Sequence, residues 1–158
     1  MKFLRRIKEG ILNIVDWLPI VWRDRDWDQA FLYEVLRFKL GRMEQFQRER
    51  GCSVEFKGIA GEIGLCVKLL DRIIKDDYLV NALNPHERKW GEAEITHTPI
   101  EGSEYISIDI RVPGLKGKDR KLEEAGRLRR YHHSDYMRRQ DIDMLFDTMK
   151  RYVECWWD

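Results

Sequence analysis

"GIAGEIGLCVKLLDRIIKDDY", residues 58–78, carries the clearest periodic signal in the chain. Ile59, Ile63, Cys66, Val67, Leu70, Ile73 and Ile74 recur at the spacing of one helix face. That spacing predicts a helix over roughly 54–78, with Cys66 as a small core residue. Gly58, Gly61 and Gly64 sit inside it. No strand precedes them and the helical pattern runs through them, which excludes a phosphate-binding glycine loop. A mid-helix glycine costs ~1 kcal/mol relative to alanine. Three on one face therefore predict close approach of another backbone, within the fold or across a dimer.

Upstream, Leu32, Leu36, Leu40 and Met43, widened by Val35 and Phe46, predict a second apolar helix face over about 27–50, ended by Gly51. The approach to it, "VWRDRDWDQAF" (21–31), packs charge and tryptophan together. Asp26 followed by Gln29 reads as a capping box, and Asp28 suits the positive end of the helix dipole. Trp22, Asp24, Arg25, Asp26, Trp27 and Asp28 are expected to form a structural corner or a ligand rim, with Trp156, Trp157 and Asp158 packed against it. Residues 3–18 also have helical spacing: Phe3, Leu4, Ile7, Ile11, Val15 and Leu18 form the stripe, and Lys2, Arg5, Arg6 and Lys8 add positive charge. Docking of this helix on the core is the expectation, and a basic amphipathic helix on a membrane surface is the alternative. Pro19 should stop it.

Downstream the period changes. "NALNPHERKWG" (81–91) reads as a loop broken at Asn84-Pro85. "EAEITHT" and "YISIDIRV" alternate around the turn "PIEGSE", predicting a hairpin at about 92–112 with Ile106, Ile108, Ile110 and Val112 on one side. A lone hairpin is marginal, so it should pack on helices. Helices at about 119–131 and 139–157 follow, continuous or broken near Ser134; the second has Ile142, Leu145, Phe146, Met149, Val153 and Trp156 on its apolar face. The fold class expected is mainly α (α+β): a helical bundle-like single domain, 1–158, with one small antiparallel β-hairpin inserted between helices.

Composition limits the functions available. With 29 basic and 28 acidic residues the net charge is only +1, so no global field holds nucleic acid. Cys52, Cys66 and Cys155 are odd in number and lack a CxxC spacing, which argues against a disulfide framework or zinc site and for a reducing compartment. Asn13 and Asp16 interrupt the first apolar run, and no small-residue cleavage site follows, so a signal peptide is not expected. No apolar run is long enough to span a bilayer.

No histidine lies in an HxxxH or HExxH spacing, and no GxSxG is present. Carboxylates group at Asp24/Asp26/Asp28, Asp71/Asp76/Asp77 and Asp141/Asp143/Asp147, a pattern able to serve Mg²⁺ or acid–base chemistry but equally a set of solvated or arginine-paired charges. Asp71 and Lys75 have the spacing of an ordinary helix pair. Residues 116–139 hold nine basic and four acidic side chains with aromatic rings between them. Cations grip phosphate and aromatic faces stack on bases, which makes Arg127, Arg130, Tyr131, His132, Tyr136 and Arg138 the candidate ligand-binding residues. The competing reading is a solvated helix face whose arginines pair with carboxylates.

"WLPIVWRDRDWD" (17–28), "LRFKLGRM" (36–43), "LLDRIIKDDY" (69–78) and the terminal "WWD" (156–158) together resemble a group of small tailed-bacteriophage proteins to which no activity is assigned. The resemblance covers most of the chain through scattered motifs. It implies a phage or prophage origin and action in the host bacterial cytoplasm, and it brings no catalytic residues. The expected function is non-catalytic: a phage accessory protein that binds a host or defence protein or a nucleotide-like ligand as a homo-oligomer, with no cofactor, metal or catalytic residue assigned. A metal-dependent enzyme acting on a phosphate-containing substrate is the alternative, and a nucleic-acid-binding module the second.

Overall fold

The computed structural model describes residues 2–23, 28–50 and 54–157. It is mainly helical with one hairpin: α1 (Lys2–Val21), α2 (Gln29–Arg50), α3 (Val54–Lys75), α4 (Tyr78–Trp90), β1 (Glu94–Pro99), β2 (Ile106–Arg111), α5 (Gly117–Tyr152) and a 3-10 turn (Val153–Trp157). The chain divides into two compact units, residues 1–75 with 141–158, and residues 76–140, so that the boundary falls inside α5.

The first unit holds the apolar core. Leu40 from α2, Ile63, Cys66, Leu69, Leu70 and Ile73 from α3, Leu145 from α5 and Trp156 from the 3-10 turn are buried together. Trp156 also makes polar contacts: its Nε1 donates to Glu62 Oε2 at 3.1 Å, and its carbonyl accepts from Gln47 Nε2 at 2.8 Å. Buried Asp141 accepts from Arg72, with Nε 2.7 Å from Oδ2 and a second contact through Nη2. A carboxylate this deep requires such a partner, because an unpaired buried charge is costly. Asp71 pairs with Arg37 of α2 rather than serving only its own helix.

Several local expectations are corrected. α2 faces the core through Tyr33, Leu36, Leu40 and Met43, whereas Leu32 is 67% exposed and Phe46 also faces outward. Its start lies at Asp28, whose Oδ1 accepts from the Ala30 N–H at 2.9 Å; the cap is Asp28, and Asp26 and Gly51 lie outside the described residues. α3 ends at Lys75, not Tyr78, because Asp76 turns to φ 48°, a left-handed conformation that aspartate tolerates. Within the chain no backbone approaches these glycines: nothing stands within 4 Å of a Cβ at Gly58 or Gly61, and at Gly64 the neighbours are the Glu44 and Arg48 side chains. Pro19 does not stop α1, which runs to Val21 with Trp22 N–H donating to the Leu18 carbonyl at 2.9 Å. α1 is not docked through its apolar stripe either: Phe3, Leu4, Ile7, Ile11, Val15 and Leu18 are all exposed.

In the second unit, residues 81–90 are helix rather than loop. Proline inside a helix costs about 3 kcal/mol, yet α4 continues through Pro85 because Ala82 and His86, one turn apart, are buried on the same side. β1 and β2 pair antiparallel with Ile95 opposite Ile110, His97 opposite Ile108 and Pro99 opposite Ile106. Only the base of the hairpin is covered: Val112 is buried, whereas Ile106 and Ile108 are about 60% exposed. α5 does not break at Ser134, whose Oγ donates to the Tyr131 carbonyl at 2.8 Å within the continuous helix.

Two outcomes follow from this packing. Gly61→Ala should raise stability by up to about 1 kcal/mol in chemical denaturation, since the added methyl meets no neighbour and alanine favours helix; a loss of stability contradicts the open environment. Burial, aided by the Glu62 carboxylate, pushes the Cys66 thiol up from 9.0 to about 11. The fold therefore favours the protonated thiol, and this contribution declines as pH rises from about 9 towards 11. Site-resolved alkylation at neutral pH should label exposed Cys155 and spare Cys66 until unfolding; equal rates contradict the burial.

Candidate functional site

Within the second unit, α4 and the N-terminal part of α5 form a cleft of about 590 Å³, within the range usual for small-ligand sites. α4 contributes Pro85, His86, Lys89 and Trp90; α5 contributes Leu122, Gly126, Arg129, Arg130 and His133. The helical period explains both sets, since each falls on one side of its helix. It also explains why the adjacent histidines separate: His133 lines the cleft and His132 does not.

Beneath the cleft lies a buried charged network. Glu123 is 1% exposed, and its Oε1 stands 3.1 Å from His86 Nε2 and 3.3 Å from Arg127 Nε. Arg127 Nη2 donates to the Ile110 carbonyl at 2.6 Å, tying the end of β2 to α5. Arg127 Nη1 is buried without a partner. Gly126 gives the His86 ring its place: a Cβ there would stand 2.9 Å from Cε1 and 3.3 Å from Nδ1. The network thus fixes the imidazole at the cleft wall.

The wall itself is cationic. No carboxylate lines it, and among the described residues Lys89, Arg129, Arg130 and His133 carry no ion pair. Lys89 Nζ lies 4.6 Å from the Trp90 ring centroid, a cation–π arrangement that leaves the ammonium without a counter-anion. Chemically, such a wall suits an anion carried next to a flat apolar group.

The six basic-aromatic residues singled out from sequence are dispersed. Arg130 lines the cleft, and Arg127 is buried in the network. Arg138 pairs with Asp76 at 3.1 Å. Tyr131 is half-buried, and His132 and Tyr136 are exposed away from the lining. Lys89, Trp90, Arg129 and His133 were missed as a set: α4 reads as a loop from sequence, so its cation and ring have no helix face to share with α5. At the other candidate, Trp22 is 80% exposed, while Trp156 belongs to the apolar core. Asp24, Arg25, Asp26, Trp27 and Asp158 lie outside the described residues. No group of three or more His, Cys, Asp or Glu able to hold a metal occurs among the described residues.

No family model matches the chain, and no curated protein or solved structure matches it significantly.

Removing the Glu123 carboxylate leaves Arg127 buried and unpaired. Glu123→Ala should therefore lower stability by about 3–5 kcal/mol in chemical denaturation, with Glu123→Gln intermediate. Gly126→Ala should cost about 1–3 kcal/mol by pushing the His86 ring from its place. Unchanged stability in both variants contradicts the network.

Proposed function

We propose that this protein binds a nucleotide-like ligand without turning it over, in the cleft between α4 and α5. The observation that carries the reading is a wall of unpaired cations, Lys89, Arg129 and Arg130, with the His133 imidazole among them, beside the half-buried Trp90 ring. Phosphate oxygens meet the cations, and the base meets the aromatic face. The resemblance to phage proteins supports a phage accessory role in the host bacterial cytoplasm, by analogy alone. Self-association is supported separately by the uncovered isoleucines of the hairpin, Ile95, Ile106 and Ile108.

Isothermal titration with ATP, adenosine and inorganic triphosphate tests the ligand. ATP should bind with an affinity that falls as salt rises. Arg129→Glu with Arg130→Glu should weaken it at least ~10-fold, since charge-assisted bonds each contribute ~1.5–3 kcal/mol, without changing the melting temperature. Trp90→Ala should weaken ATP by ~1–3 kcal/mol and leave triphosphate unaffected. Absence of ATP binding, or binding indifferent to the arginines, contradicts the proposal.

A further inference from the structure

The apolar side of α1 points away from the body that holds the helix. At about 100° per residue, Leu4, Ile7, Ile11, Ile14, Val15 and Leu18 fall within one arc of roughly 100°, and all are exposed, from 44% at Ile7 to 71% at Leu4. The attachments to α2 leave from the other side of the helix. Arg42 Nη2 donates to Asn13 Oδ1 at 2.9 Å and lies 3.2 Å from Asp16 Oδ2, and the Trp17 and Phe38 rings meet edge to face at 4.8 Å. α2 therefore takes the polar side of α1 and leaves the apolar side uncovered, the reverse of a helix docked on a core.

Charge selects what covers it. Both acids of α1 are already engaged, Glu9 by Arg5 at 2.8 Å and Asp16 by Arg42. Arg6 and Lys8 carry no ion pair among the described residues. A second copy laid on this side would add the same cations and bring no free α1 carboxylate to meet them. Lipid phosphate supplies the missing anion at the depth where the acyl boundary would take the apolar arc. No described helix is long and apolar enough to cross a membrane, so this one would lie on the surface.

We infer that α1 is an interfacial anchor for an anionic bilayer, with the Leu4–Leu18 side in the acyl boundary and Lys8, at the edge of that arc, on a lipid phosphate. The inference is independent of the α4–α5 cleft. Co-sedimentation of the full chain with phosphatidylglycerol-containing and pure phosphatidylcholine vesicles tests it, alongside sedimentation equilibrium without lipid. The chain should follow the anionic vesicles and be released by salt. Ile11→Asp should weaken binding at least about ten-fold, because a carboxylate enters the apolar boundary. Lys8→Gln should weaken it roughly five-fold. These positions are exposed, so circular dichroism should match the parent chain. Three results would overturn the inference: no binding to anionic vesicles, binding unaffected by Ile11→Asp, or a lipid-free dimer that Ile11→Asp dissolves while vesicles stay unbound.

Discussion

One carboxylate organises the second unit. Glu123 sits almost wholly out of water and meets His86 of α4 and Arg127 of its own helix. Arg127 in turn holds the carbonyl at the end of β2. Without Glu123 the arginine would be an uncompensated buried charge, and the hairpin would lose its firmest attachment to α5. The same carboxylate aligns the imidazole that closes the cleft wall. It also accounts for a division of labour along α5: Arg127 is consumed as structure, while Arg129 and Arg130, turned further round the helix, remain available to a ligand.

The two units solve burial by different means. The first uses aliphatic side chains and Trp156, with Gln47 and the Arg72-paired Asp141 as its polar inclusions. The second buries Ala82 and Val112 beside His86, Glu123, Arg127 and Ser134. A core so rich in polar groups gains less from hydrophobic transfer and depends more on satisfied geometry. That dependence is why Gly126 matters: the ring position that satisfies Glu123 leaves no room for a methyl.

Much of the fold was legible because apolar periodicity reports burial. α3 shows this most directly, with Ile63, Cys66, Leu70 and Ile73 all buried as their spacing predicts. The hairpin followed from alternation. Two of the failures share one cause, local signals overridden by distant partners. Pro85 reads as a breaker, yet packing of Ala82 and His86 carries the helix through it. The stripe on α1 reads as a core face, yet Arg42 and Phe38 attach the opposite side. For the cleft, the basic run on α5 was visible, but its geometry was not, because Lys89 and Trp90 are contributed by a helix that proline disguised.

The account stands on the cleft as an anion-binding site, and an NMR titration with ATP of the isotope-labelled chain addresses it most directly. It predicts the largest shifts at Lys89, Trp90 and its indole N–H, Gly126, Arg129, Arg130 and His133, with the Leu40–Leu70 core unmoved. Saturating ATP that leaves those residues unshifted, or that moves the first unit instead, would contradict it.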